Sequence, residues 1–279
     1  MKIISKIFWS LLAITALLAL LVSRTPIFAA VKISLLHRFL PPAKTYIEVT
    51  SKRTPTPTPE SQPKQIEEKT KPTPALAKIS EQEKPASVNS LPVEWNLAVP
   101  FTSQAPKKDW TMPFQEACEE ASIIMLDAFF TERALDAESA TAEILDILAW
   151  EKDNLFHWVD TNAEETAQII REHYGYKNVR VEYDITIEDI KTEIAKGHPV
   201  IVPAAGRLLG NPYFTPPGPI YHMLVVRGWT RDGKMITNDP GTKRGDGHLY
   251  TEETLMNAIH DYNSGDILNG RRAMIVATP

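Results

Sequence analysis

The sequence predicts an α+β fold, with helices packed on a later antiparallel sheet, behind an N-terminal export or anchoring segment. Three observations carry that expectation. Residues 92–279 have globular composition, with apolar residues at helical spacing first and short continuous apolar runs later. Ten of the 22 prolines fall between Pro41 and Pro92. The long apolar stretch lies at the start of the chain, with no further one of the kind a polytopic membrane protein needs. At about 150 residues per domain, 279 residues hold one or two domains, and residues 92–279 can bury a core of their own.

Residues 1–30 have the layout of a signal peptide or membrane anchor. Lys2 and Lys6 precede an apolar run over 7–22, in which Ser10 and Thr15 are the polar residues. The run suits a signal core and falls short of the roughly 20 residues that span comfortably. Ile27 and Phe28 stand where a cleavage site wants small residues, so a cleaved signal and an uncleaved anchor both stay open. Either one sends the rest of the chain across a membrane. Residues 31–91 read as a Pro-rich disordered linker, with Thr54-Pro-Thr-Pro-Thr-Pro59 at its centre. Proline removes backbone donors, and few apolar residues offset the entropy of folding. Some 50 residues in polyproline-like extension, at roughly 3.1 Å each, reach on the order of 150 Å.

Within the domain, apolar spacing predicts helices over 116–130, 139–151, 163–173, 187–196 and 251–262. Apolar runs predict strands over 199–204, 221–229, 234–237 and 272–277. A formal charge of -5 argues against a nucleic-acid partner, which needs clustered Lys and Arg. One cysteine excludes an intramolecular disulfide framework and a cysteine-rich zinc site. His248 and His260 lack Cys or carboxylate neighbours at metal-ligand spacing, so no metal site is read from them.

That one cysteine, Cys118, falls at the start of the first domain helix, where amide groups and the helix dipole favour an anion. A free thiol, with a pKa near 8.5, is only slightly ionised at neutral pH and needs a basic partner. Among seven histidines, His222 opens the run Tyr221-His-Met-Leu-Val-Val-Arg-Gly-Trp229, followed by a turn and Lys234-Met-Ile-Thr-Asn-Asp-Pro240. This reads as a hairpin whose outer ends bring His222 and Asp239 together. A carboxylate there can hold one imidazole nitrogen while the other faces a thiol. Gln104, in Val99-Pro-Phe-Thr-Ser-Gln-Ala-Pro106, is a candidate oxyanion donor beside the Cys118 amide. Residues 206–218, carrying Tyr213 and Phe214 just before His222, read as a surface loop or a cleft wall.

Together, Val99-Pro-Phe-Thr-Ser-Gln104, Glu116-Ala-Cys-Glu-Glu-Ala-Ser122, the run 221–229 and Ile236-Thr-Asn-Asp-Pro-Gly241 resemble the papain-like cysteine peptidases. The nearest branch in pattern is the bacteriocin-processing type in its stand-alone C39-like form, over about residue 92 to the C-terminus. The resemblance implies Cys118 as nucleophile, His222 as general base, Asp239 as orienting residue and Gln104 as oxyanion donor. It also implies hydrolysis of a peptide amide in a peptide or protein substrate, through a thioester and without a cofactor. Two departures stand out. Many relatives follow the cysteine with Gly-Pro, where Glu119 and Glu120 stand here, and two carboxylates oppose a neighbouring thiolate unless they are paired or turned away. Gln104 lies 14 residues before Cys118, a longer spacing than in papain. The expectation is an exported peptidase, membrane-anchored or secreted. A non-catalytic peptide-binding module and an acyltransferase or cell-wall amidase on the same triad are the alternatives. No oligomeric state is read from the sequence.

Overall fold

The computed structural model describes residues 40–51 and 91–279. The expected export or anchor segment and most of the Pro-rich stretch lie outside the described residues. Among those described, no helix is long and apolar enough to cross a membrane.

Residues 40–51 belong to the folded body, although they fall in the stretch read as linker. A single-turn helix, α1 (Tyr46–Ser51), buries Val49, and Tyr46 stands edge-on to Phe129 and Phe130 with ring centroids 5.9 and 4.9 Å away. Lys44 forms a parallel bridge with Leu97, and Asn96 donates through Nδ2 to Pro41 O at 2.8 Å. Gly197 lies under α1 with φ +84°, and a Cβ on it would come within 2.6 Å of Val49 Cγ1. A lone six-residue apolar turn between two proline-rich runs gives composition nothing to detect.

Strand β1 (Trp95–Asn96) leads into a loop and a 3-10 turn (Phe114–Glu116), after which α2 (Cys118–Phe130) begins. Cys118 is thus the first residue of α2, whereas the sequence places the helix start at Glu116. Nearly every α2 side chain is buried, Glu119 and Glu120 included, as for a helix enclosed on all sides. The next helix, α3 (Ala137–Asn154), is longer than expected because Asp136 caps it, accepting from the Glu138 and Ser139 amides. Helix α4 (Ala163–Glu172) starts at a capping box of Asn162 and Glu165. Strand β2 (Asn178–Tyr183) then precedes α5 (Ile187–Ala195), capped by Thr186 and Asp189.

The remaining strands are β3 (Val200–Ala205), β4 (Tyr221–Trp229), β5 (Lys234–Asn238), β6 (His248–Thr251) and β7 (Ala273–Thr278), with α6 (Glu252–Ala258) after β6. The sheet runs β2-β7-β3-β4-β5-β6, with β1 added against β4. Every pairing within it is antiparallel. All nine residues of β4 are buried, with α2 and α5 packed on it. It therefore reads as a continuous apolar run rather than an alternating one.

Strands β2 and β6 escape the sequence reading. The first is a half-exposed edge strand and the second only four residues long. Helix α6 ends earlier than expected because Ile259 turns extended and bridges Ala204. Within β4 the register shifts between Val226 and Gly228. At that bulge the buried Arg227 donates to Leu97 O and to the Asp246 carboxylate, which ties the loop after β5 back to β1.

Candidate active site

Three elements converge on one cleft: the first residue of α2, the start of β4 and the chain just beyond β5. The pairing of β4 with β5, with Val225 opposite Asn238, carries His222 and Asp239 to the same end of the hairpin. His222 Nε2 lies 2.8 Å from Asp239 Oδ1, and both side chains are almost wholly buried. Asp239 also accepts from Tyr250 Oη at 2.6 Å, Asn211 Nδ2 at 2.9 Å and the Gly241 amide at 3.0 Å. Burial alone pushes this carboxyl up, but the charge and hydrogen bond of His222, with those of Tyr250 and Asn211, outweigh it and hold Asp239 below its ordinary value. The carboxylate stays ionised and the imidazole is fixed by Nε2, which leaves Nδ1 as the free ring nitrogen.

Sequence reasoning missed Asn211 and Tyr250. Asn211 lies in the loop before β4, and its Nδ2 also donates to Tyr250 Oη at 2.8 Å, so the three side chains form a closed polar network. Neither residue carries a local motif, because both reach Asp239 only through the fold. Gly241 is a third. A Cβ there would stand 2.8 Å from His222 Cε1 and 2.8 Å from Phe214 Cε1, so the ring wall of the cleft closes over a position that only glycine fills.

The cleft encloses about 550 Å³ and is lined by Gln104, Trp110, Glu116, Cys118, Asp160, Phe214 and His222, among others. His222 is its one lining histidine among the described residues. The Phe214 ring stands edge-on to the imidazole at 5.3 Å, so the loop before β4 forms one wall. Burial raises the Glu116 and Asp160 carboxyls, and the nearby Asp160 adds to the effect on Glu116.

Cys118 sits with its sulfur 3.0 Å from Glu119 Oε2, and the Met223 amide, next to His222, also faces it. Burial pushes the thiol well up, Glu119 and Glu120 push it further, and the Met223 amide opposes them. No side chain caps α2 at Ala117, although the Glu119 and Glu120 carboxyls draw on the amides of their own residues.

Gln104 is buried against the same cleft, but its Nε2 donates to Phe114 O at 3.0 Å and Gln115 O at 2.7 Å. Its backbone amide donates to Pro240 O at 3.0 Å. Both side-chain hydrogens are therefore engaged, and Gln104 ties the turn before Cys118 to the segment after Asp239. Among the described residues no three His, Cys, Asp or Glu side chains are grouped to hold a metal ion.

Helices in front of an antiparallel sheet, with the cysteine at a helix start and the histidine on a strand, define the α+β, papain-like architecture expected from the sequence. The profile of the Peptidase_C39 like family matches residues 96–264, more than half of the chain, and the chain belongs to that family. A crystal structure described as a C39-like peptidase from Bacillus anthracis is similar at 16% identity and a TM-score of 0.42, covering 65% of this chain and 96% of that one. Among curated proteins nothing matches.

Proposed function

We propose that the chain is an exported cysteine peptidase that hydrolyses peptide amides through Cys118, His222 and Asp239. The observation that carries this reading is the buried His222–Asp239 pair at 2.8 Å, opening onto the cleft that Cys118 lines. In the mechanism His222, held through Nε2, takes the Cys118 proton on Nδ1. The thiolate attacks the substrate carbonyl carbon. The Cys118 amide holds the oxyanion, joined by Gln104 Nε2 if a substrate draws it off Gln115 O. The imidazolium gives its proton to the departing amine as the C–N bond breaks, leaving a thioester. Water, deprotonated by His222, attacks that thioester, and the thiolate leaves and recovers its proton. Export rests on the apolar segment at 7–22, and that segment is the proposed membrane contact. The proposed partner is a peptide or protein substrate, and neither a cofactor nor a nucleic acid enters the scheme.

The test is Cys118 alkylation by iodoacetamide against pH, in wild type and His222→Ala. A thiolate–imidazolium pair gives labelling that persists well below pH 8 and drops about tenfold or more in the variant. Labelling that follows an ordinary thiol titration near 8.5 in both proteins would sink the reading. A second reading, a peptide-binding module without catalysis, is favoured by one observation: the thiol is buried beside two carboxyls that raise it. The same experiment separates the two.

A further inference from the structure

Directly behind the nucleophile lie three buried carboxyls that the scheme above does not use. Glu119 and Glu120 on α2 and Glu151 on α3 are exposed by 2%, 1% and 0%. Among the described residues none of them forms an ion pair. Among the described residues nothing donates a hydrogen bond to Glu119 Oε1, Glu120 Oε2 or either Glu151 oxygen. Glu120 and Glu151 nevertheless face one another at hydrogen-bonding range, and two carboxyls bond only when a proton lies between them. Glu119 makes one side-chain contact, the 3.0 Å approach of Oε2 to Cys118 Sγ. The groups facing Glu119 are Cys118 and Glu120 on its own helix, Glu151 on α3, Asp160 in the loop beyond α3 and Tyr221 on β4. None of these is basic.

We propose that Glu119 is a neutral carboxylic acid that donates its proton to Cys118 Sγ, making it a further catalytic residue that stabilises the thiolate. The proposal rests on the peptidase reading for the thiolate, and on geometry for the acid. An ionised Glu119 would leave Oε1 buried without a partner, next to a second carboxyl pair, at a cost well above that of protonation. Burial, and then Glu120, push its proton affinity well up, and they outweigh the hydrogen bond with Cys118 and the pull of its own backbone amide. The α2 N-terminus favours one negative charge by roughly 0.3–2 kcal/mol, and that charge belongs on sulfur once His222 holds the thiol proton.

The 3.0 Å heavy-atom contact is the same whichever atom carries the hydrogen. A neutral thiol is a weak acceptor and a thiolate a strong one, so the bond from Glu119 strengthens as the thiolate forms. It weakens when sulfur becomes a thioester and strengthens again when that sulfur is expelled by water. The Glu119 proton stays on its oxygen throughout, and the transferred proton is the one His222 carries.

The test uses the full chain and two readouts. An infrared difference spectrum of wild type against Glu119→Gln at about pH 7 should lose the carbonyl stretch of a protonated carboxylic acid. Loss of a carboxylate band instead overturns the proposal, whatever the thiol does. Iodoacetamide labelling at the same pH should fall about tenfold in Glu119→Leu, the loss of one hydrogen bond to a charged group. Glu119→Gln, whose amide still donates, should label within about threefold of wild type. Faster labelling in Glu119→Gln than in wild type would mean a carboxylate opposed the thiolate, and unchanged labelling in folded Glu119→Leu would mean a packing role only; either result overturns the proposal. If labelling ignores His222, the peptidase reading fails alone, because the infrared band still reports on Glu119.

Discussion

Gly241 shows how little slack the site holds at the scale of single residues. In Gly241→Ala the new methyl would meet His222 Cε1 and Phe214 Cε1 at 2.8 Å each, closer than carbon atoms approach without displacement. Overpacking of this kind costs about 1–3 kcal/mol of stability, a loss a folded domain survives. The reactive geometry is less tolerant, and a displaced imidazole is expected to slow Cys118 labelling and peptide hydrolysis by about a hundredfold. Circular dichroism beside labelling rates checks this, and wild-type labelling in a folded Gly241→Ala protein would contradict it. The adjacency of His222 and Asp239 was legible in the sequence because a hairpin turn fixes the pairing of its own flanks. Asn211 and Tyr250 were not, since they meet Asp239 from positions 28 and 11 residues away with no intervening pattern that forces the contact. Gln104 was read as a candidate oxyanion donor in a loop, but its hydrogen bonds to Phe114 and Gln115 depend on a turn that spacing does not reveal.

At the scale of elements, long helices and central strands were readable and short pieces were not. Helices α3 to α5 carry apolar faces and polar caps that set their first residues, whereas α2 is apolar over most of its length and buried on all sides. Strand β4 is an unbroken apolar run because helices pack on it. Strand β2 has a half-exposed pattern and gains its identity from pairing along β7, a partner nearly a hundred residues on. Helix α1 is the clearest case, for its stability comes from packing rather than propensity. Tyr46→Ala removes the ring that stands against Phe129 and Phe130 and is expected to lower unfolding stability by about 2 kcal/mol. Urea denaturation reads this directly, and an unchanged midpoint would show that α1 adds nothing to the folded body.

For the whole molecule, the buried carboxyls link stability to pH. Burial above all raises the Glu151 carboxyl from its ordinary 4.5 to about 8. Between those values the folded protein keeps a proton that the unfolded chain has released. Stability is therefore greatest below about pH 4.5 as far as this group is concerned, and it falls as pH rises toward 8. Glu151→Gln removes that dependence, so the variant should gain on wild type steadily across the window and exceed it near pH 8. Urea midpoints at four or five pH values test this. A constant difference between the two proteins would mean that Glu151 is ionised throughout.

The docking of α1 also changes what the Pro-rich stretch can be. Residue 51 and residue 91 are both fixed to the domain, so the prolines between them close a loop instead of leading away from it. Nine residues, 31–39, are then the whole length of leash between residues 1–30 and the docked segment. At no more than about 3.6 Å per residue, that leash spans roughly 30 Å, a fifth of the reach expected for an open tether. If residues 1–30 stay in a membrane, the cleft works close against the lipid surface. A proteolytic nick among the prolines would then leave the domain held to residues 1–30 only by the docking of residues 40–51, through Tyr46, Val49, the Lys44–Leu97 bridge and the Asn96–Pro41 bond.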